Sequence, residues 1–346
     1  MPTPAELGFA MPAEWTPHER TWMAWPTEGY TLGEDPMEAF RAWSQVANTI
    51  VRYEPVTMVV DPAARASADE WLDPAVAKVE RPLNDAWMRD IGPTFLVNES
   101  GGARELAAAD WIFNGWGAQS WAQWDKDSEI AESVTELAGA RRFASRMVNE
   151  GGGIHVDGEG TVLITETVQL DPGRNPEWSK AEVEDELKAF LGARKVLWLP
   201  RGLTRDYGEF GTRGHIDIVA AFVRPGVVVV HTQPDPAHPD HEVGRENAAL
   251  LRASTDAHGR PLEVVELPAP TVLTEADGEP VDYSYINHYL GNGFALLCGF
   301  DDPRDQQAAE ILGGLLPGRK IEFVDARPVF ERGGGIHCIT QQQPAV

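Results

Sequence analysis

The sequence predicts an α/β protein built as a closed ring of five repeated units, arranged like the blades of a propeller. Three observations predict it. One order of elements, amphipathic helix, β-rich strand, polar loop and hairpin, recurs five times at a spacing of about sixty residues. A glycine-rich hexad near the C-terminus, GGGIHC at 333–338, has a near copy half a chain earlier, EGGGIH at 150–155. No linker is long enough to divide the chain, so residues 1–346 are read as one catalytic domain.

The first unit shows helical spacing of apolar residues over 37–52, the strand PVTMVVD at 55–61, the loop NDAWMRDIGP, and TFLV at 94–97. The second has a helix at 129–137, a weaker strand at 142–148, and IHVDGEGTVLIT, where Asp157-Gly158 signals a hairpin turn. The third runs from a helix at 182–191 through KVLWLP to IDIVAAFVRPGVVVV, turning at Pro225-Gly226. The fourth takes a helix over 246–252, the strand PLEVVEL, and YINHYLGNGFALL with its turn at Asn292-Gly293. The last comprises a helix at 307–316, KIEFVDA, and IHCIT. Trp15, Trp22 and Trp25, in the aromatic N-terminal stretch, are read as core. PDPAHPD (234–240) and TVLTEADGEPVD (271–282) lack any period and are read as surface excursions or lids. If the units close radially, each turns its hairpin entrance toward a shared axis, and the residues ahead of each hairpin are where chemistry would collect.

Composition narrows the partners. A formal net charge of −25 without a basic patch argues against nucleic acid and anionic membrane surfaces, and favours a small cationic ligand. Two cysteines make no disulfide framework, which points to a reducing compartment. Cys298, inside the apolar run FALLCGF, reads as a buried small hydrophobe. There is no basic-then-apolar leader and no run near the ~18 apolar residues of a membrane span. The chain is therefore expected to be cytoplasmic; homo-oligomerisation stays open.

The hairpin entrances carry Asp90, Glu150, His215 with Asp217, Asn287 and Cys338. His215 and Asp217, two apart in GHIDIVAAF, would face the same way from a strand. Only the second glycine hexad ends in a nucleophile. A free thiol has a pKa of about 8.5, so reactivity at neutral pH requires a nearby cation, either a protonated histidine or a guanidinium substrate beside the sulfur. Two aspartates match the planar donor fork of a guanidinium. An acidic pocket holding one thiol therefore suits covalent attack on a guanidine carbon. The histidine, aspartates and cysteine show no close spacing of the zinc type, and neither a metal nor an organic cofactor is expected.

The stretches MPAEWTPHERTWMAWP, NDAWMRDIGPTF, EGGG, VDGEGT, RNPEWSK, GHIDI, SYINHYLGNG and GGGIHCITQQQP span residues 11 to 344. Together they resemble the agmatine deiminase family, guanidino-group-modifying enzymes of the five-bladed α/β propeller, or pentein, fold. The resemblance implies that Cys338 is the nucleophile and His215 the general acid and base, that Asp90 and Asp217 grip the guanidinium, and that Glu150 orients His215 or helps bind the reacting group. It places Asn287 near the site and Trp87 as a wall against the substrate. It implies hydrolysis of agmatine to N-carbamoylputrescine and ammonia through an S-alkylthiouronium intermediate, on a route to putrescine. Arginine, peptidyl-arginine or another alkylguanidine is the alternative substrate for the same chemistry.

Two departures concern the substrate's far end. The run RGLTRDYGEFGTRGHIDI is longer than the acidic, Thr-containing stretch usual before this histidine motif, and Gly335 stands where the family usually has Asn. Asp206 and Glu209, among Arg205 and Arg213, are the candidates for holding a distal ammonium. A Cys-His-Asp amidase fits less well, because its residue order and an oxyanion hole are not visible. A catalytically dead binding protein conflicts with the full set of Cys338, His215, Asp90 and Asp217.

Overall fold

The computed structural model describes residues 2–346 apart from positions 28, 34, 275–277 and 279. Local sequence explains the helices. Pro36–Ile50 starts at Asp35, whose side chain accepts from Met37 N, and buries Ala39, Ala42, Trp43, Val46, Ala47 and Ile50, an i, i+3, i+4 stripe. Lys180–Leu191 opens on a capping box between Ser179 and Glu182 and stops at Gly192, which adopts φ +67°.

The strands form five sheets with one shared plan. A hairpin of two antiparallel strands is followed by a helix, and the next strand then returns parallel to the hairpin's second strand. Ala220–Arg224 and Val227–Thr232 make such a hairpin, the helix Asp240–Arg252 follows, and Glu263–Pro268 pairs parallel to Val227–Thr232. The same plan holds for Thr94–Asn98, Glu105–Ile112 and Arg141–Val148, for His155–Val156, Thr161–Thr165 and Lys195–Leu199, and for Tyr289–Gly291, Phe294–Gly299 and Lys320–Asp325. The middle strands are buried on both faces, which is why Val227–Thr232 and Val56–Val60 read as near-continuous apolar runs. The turns expected at Gly158, Gly226 and Gly293 are present, each with φ between 71° and 78°.

The fifth sheet joins the two ends of the chain. Gln341–Pro344 pairs antiparallel with His18–Ala24, which pairs parallel with Val56–Val60, and Ala77–Glu80 extends the edge. This changes the phase of the repeat. Each helix and the strand after it complete the preceding hairpin, not the following one, because a parallel partner needs a crossover connection. The final hairpin is thus assembled from opposite termini. GHIDI is also corrected: it is a single 3₁₀ turn, Ile216–Ile218, with the strand beginning only at Ala220.

Trp22 and Trp25 lie in the main core, while Trp15 is only partly buried against it. PDPAHPD leads directly into the helix at Asp240. Part of TVLTEADGEPVD, including Asp277, lies outside the described residues. Among the described residues no helix is long and apolar enough to cross a membrane.

Ring closure carries a polar contact that can be tested. Gln342 Oε1 accepts from Arg89 Nη1 at 2.8 Å, and Arg89 is only 2% exposed, with Nη2 lacking any other hydrogen-bond partner. Gln342→Ala should leave a second buried guanidinium donor unpaired and cost about 2 kcal/mol of unfolding free energy, read from the urea midpoint at unchanged m-value.

Candidate active site

Each sheet's first strand is preceded by a tight turn, and these turns hold the polar residues. Asp90 lies in the single turn Met88–Ile91, Glu150 caps Gly151–Gly153, His215 caps Ile216–Ile218, Asn287 comes two residues before Tyr289, and Cys338 lies in His337–Ile339. A 3₁₀ turn reverses direction within a few residues, so a side chain can be presented where a strand would have carried the backbone past.

The turns meet. Asp90 Oδ1 accepts from Gly152 N at 3.0 Å and lies 3.9 Å from His215 Nδ1; His215 Nε2 is 3.2 Å from Glu150 Oε2. Cys338 Sγ lies 3.5 Å from Asp217 Oδ2 and receives Asn287 Nδ2 at 3.2 Å. Asn287 also accepts from His337 N through Oδ1, so one amide fixes both ends of the cysteine turn. Glycines make this convergence sterically feasible. A Cβ on Gly152 would stand 2.5 Å from His215 Nδ1, 3.0 Å from Asp90 Oδ1 and 3.1 Å from Asp217 Oδ2. One on Gly334 would stand 2.7 Å from the Trp87 ring and 3.1 Å from Cys338 Sγ, so Trp87 borders the sulfur. Each of the repeated hexads therefore brings a glycine backbone against the reacting side chains.

Electrostatics differentiate these groups. Burial by itself would lower the His215 pKa, but Asp90, Glu150 and Asp217 outweigh it and raise it to about 9, so the imidazole is protonated at neutral pH. Burial would raise Glu150, yet Arg174 and His215 hold it at about 2. Burial lifts Asp90 above the usual carboxylate range; His215 opposes this, while Glu150 and Asp217 reinforce it. Asp217 lies below that range despite its burial, because His337 hydrogen-bonds to it. Burial and the two aspartates push the Cys338 thiol well above its ordinary value. Cys298, fully buried, is pushed up to about 12 by that burial and reads as inert. Two buried atoms of this group, His215 Nδ1 and Asp217 Oδ1, have no hydrogen-bond partner within the protein. The arrangement is a buried imidazolium, two carboxylates and a thiol, a set whose charge suits a planar cation.

Comparison with known proteins agrees with this geometry. The profile of the Porphyromonas-type peptidyl-arginine deiminase family matches residues 10–344. The chain belongs to that family. An agmatine deiminase of Medicago truncatula is 39% identical over 99% of this chain and 98% of its own. A Streptomyces avermitilis protein provisionally given the same name is 64% identical over 348 residues, 99% of each chain. The solved agmatine deiminase of Enterococcus faecalis superposes with a TM-score of 0.92 at 34% identity, covering 99% of this chain and 98% of that one.

Within this peptidyl-arginine deiminase family member, one expected role changes. Asp206 is not a free anchor for an ammonium. Its carboxylate accepts from Thr212 N, Thr212 Oγ1, Gly214 N and His215 N, so it pins the loop to the backbone of His215. Glu209 is exposed on the same loop and is not among the side chains that meet at Cys338. Glu150 holds His215 in place, with both its oxygens also receiving Arg174 Nε at 3.0 Å. Gly335 is explained sterically, since a Cβ there would come within 2.4 Å of Asn287 Oδ1 and 2.6 Å of Phe330.

Sequence reasoning did not single out Arg174, His337, Glu14 or Trp116. Arg174 sits in RNPEWSK and bridges Glu150 and Asp171, with a third contact to Thr212 O. Trp116 donates its indole N–H to Asp90 Oδ2 at 2.9 Å from a run of four left-handed residues, 115–118. For tryptophan that conformation is strained, and Gly-Trp-Gly was its only trace in the sequence. Glu14, His155 and His337 form the one cluster of metal-ligand type among the described residues. It is arranged against a cation: Phe222 N donates to His155 Nδ1, which leaves the proton on Nε2, and Arg89 Nη2 already lies 4.0 Å from Glu14.

Gly152→Ala should lower kcat/KM for guanidine hydrolysis by on the order of 100-fold, because a methyl group there collides with His215, Asp90 and Asp217. Gly101→Ala, where a Cβ meets nothing within 4 Å, is the control expected to leave the rate unchanged. Ammonia release measures both.

Proposed function

We propose that this protein is an agmatine deiminase, converting agmatine and water to N-carbamoylputrescine and ammonia. Family membership gives hydrolysis of a linear amidine C–N bond. The observation that carries the proposal is the pairing of a buried thiol with Asp217 and Asp90 beside an imidazolium whose Nδ1 is unpartnered.

The guanidinium would lie between Asp90 and Asp217, accepting neither proton nor electron but supplying the positive charge that the site lacks. Its arrival lowers the cost of ionising Cys338, whose proton passes to solvent. The sulfur adds to the central carbon. His215 then gives the Nδ1 proton to one amino nitrogen, the C–N bond breaks, and ammonia leaves an S-alkylthiouronium on Cys338. His215, now neutral and still held at Nε2 by Glu150, takes a proton from water. The water oxygen adds to the carbon, the C–S bond breaks with its electron pair left on sulfur, the added hydroxyl gives its proton to solvent, and the ureido product departs as solvent reprotonates the thiolate. Trp87 and Asn287 keep the sulfur aimed. Glu209 is the exposed acid proposed to meet the far ammonium, the role that Asp206 cannot take.

Three measurements test this reading. In a panel of agmatine, free arginine and a blocked arginine amide, agmatine should release ammonia with the highest kcat/KM; preference for the arginine amide would reassign the substrate to peptidyl-arginine. Mass spectrometry of a quenched turnover should place an amidino adduct on Cys338, and Cys338→Ala should lose on the order of 10⁴-fold or more in kcat. Because the substrate complex, with Cys338 already ionised, must still hold the His215 proton, kcat should decline at alkaline pH, as it rises past the value of about 9 that the carboxylates set for His215. A profile flat to pH 10 would contradict the acid role of His215.

A further inference from the structure

Behind Cys338 lies a second set of charges with no place in the reaction just described. His337 Nδ1 is 2.8 Å from Asp217 Oδ2, and its Nε2 is 2.9 Å from Glu14 Oε2. A neutral imidazole has one N–H and one lone pair, and a lone pair facing a carboxylate at this distance is repulsive. Both nitrogens must therefore carry protons, which makes His337 an imidazolium held between two anions. Burial and the nearby Arg89 guanidinium disfavour that charge, and the Glu14 and Asp217 carboxylates outweigh them. Arg89 Nε donates to His337 O, and Arg89 Nη2 lies 4.0 Å from Glu14, which also accepts from Leu290 N through Oε1. His155, ring-stacked with His337 at 6.2 Å, accepts from Phe222 N and is held neutral by burial, its pKa near 3. His288 Nδ1 faces Tyr285 O, and burial lowers its pKa too. His215 and Cys338 face Asp217 from the substrate side.

We propose that the Glu14–His337 pair is a positioning device that fixes both the charge and the aim of Asp217 for the guanidinium. The proposal rests on the deiminase reading and deepens it. His337 occupies Asp217 Oδ2 and leaves Oδ1 as the oxygen without a protein partner. It also decides which aspartate is the permanent anion. Asp90, whose hydrogen bonds come from a neutral amide and a neutral indole and whose nearest cation, His215, is 3.9 Å away, becomes the acid that is easier to protonate. Without His337, Asp217, Asp90 and the thiol would compete to hold a proton, and the cation would meet one anion where it needs two.

Glu14→Gln tests this with little change of shape. The oxygen of the introduced amide can still accept from Leu290 N while its NH₂ donates to His337 Nε2, so both hydrogen bonds survive; the longer Arg89 ion pair is lost, and His337 becomes neutral, keeping its proton on Nδ1. Asp217 then protonates more readily on the acid side. kcat/KM for agmatine should fall roughly tenfold near pH 6 and recover toward the parent as pH rises, with the loss in KM rather than kcat and little change in melting temperature. Nitrogen-15 NMR of the His337 ring at pH 7 should show two protonated nitrogens in the parent and one in the variant. A loss that is the same at every pH, no loss at all, or a neutral His337 in the parent would overturn the proposal. A parent that released ammonia from none of the guanidines would instead refute the deiminase reading. Asp217→Asn, which removes the anion itself, should show the defect at every pH and so separates loss of the carboxylate from loss of its tuning.

Discussion

The constraint on which the rest depends is the burial of negative charge. Asp90, Glu150, Asp217, Glu14 and the Cys338 thiol all lie within a few residues' reach at less than a tenth exposed. An unpaired carboxylate so placed would be protonated or would destabilise the fold. The protein answers with fixed cations placed one by one: Arg174 on Glu150, His337 on Asp217 and Glu14, Arg89 near Glu14, and His215 between Glu150 and Asp90. Asp90 has the weakest compensation. Together with the unpartnered Asp217 Oδ1, it creates a demand for one more positive group, which a guanidinium satisfies.

That arrangement is possible only because the backbone comes very close to the reacting atoms. The turns ahead of the five hairpins are short, and two glycines, Gly152 and Gly334, stand where any side chain would collide with the imidazole, the carboxylates or the sulfur. The repetition of the glycine hexad is thus functional twice over. Its first copy lets the backbone approach His215, and its second lets it approach Cys338. The histidines of the two copies, His155 and His337, stack on one another, yet they differ in charge because only His337 is flanked by carboxylates on both sides.

Positioning extends well beyond the residues that would touch substrate. Arg174 reaches Thr212 O while Asp206 gathers Thr212, Gly214 and His215 backbone groups, so the long loop before His215 is tied to the same network as Glu150. On the opposite side, Trp116 accepts a strained left-handed backbone to place its N–H on Asp90. Such strain persists only where surrounding structure dictates it, and here a buried carboxylate supplies the reason.

The sequence by itself determined the repeated α/β plan, the hairpin turns, and the residues Asp90, Glu150, His215, Asp217, Asn287 and Cys338 as those ahead of the hairpins. Those signals are local: period, glycine placement and turn chemistry act over a few residues and need no partner. What it could not decide were relations between distant segments. Pairing of residues 341–344 with 18–24 set the phase of the repeat, and a 3₁₀ turn replaced the strand expected at GHIDI. Asp206 looked like a free acid because its four donors, all backbone or hydroxyl groups of 212–215, carry no distinctive side-chain signal. Glu14 and His337 lie 323 residues apart, and the imidazolium they define exists only once the ring has closed. Charge state is set by the field of neighbouring groups, and only the tertiary structure chooses the neighbours.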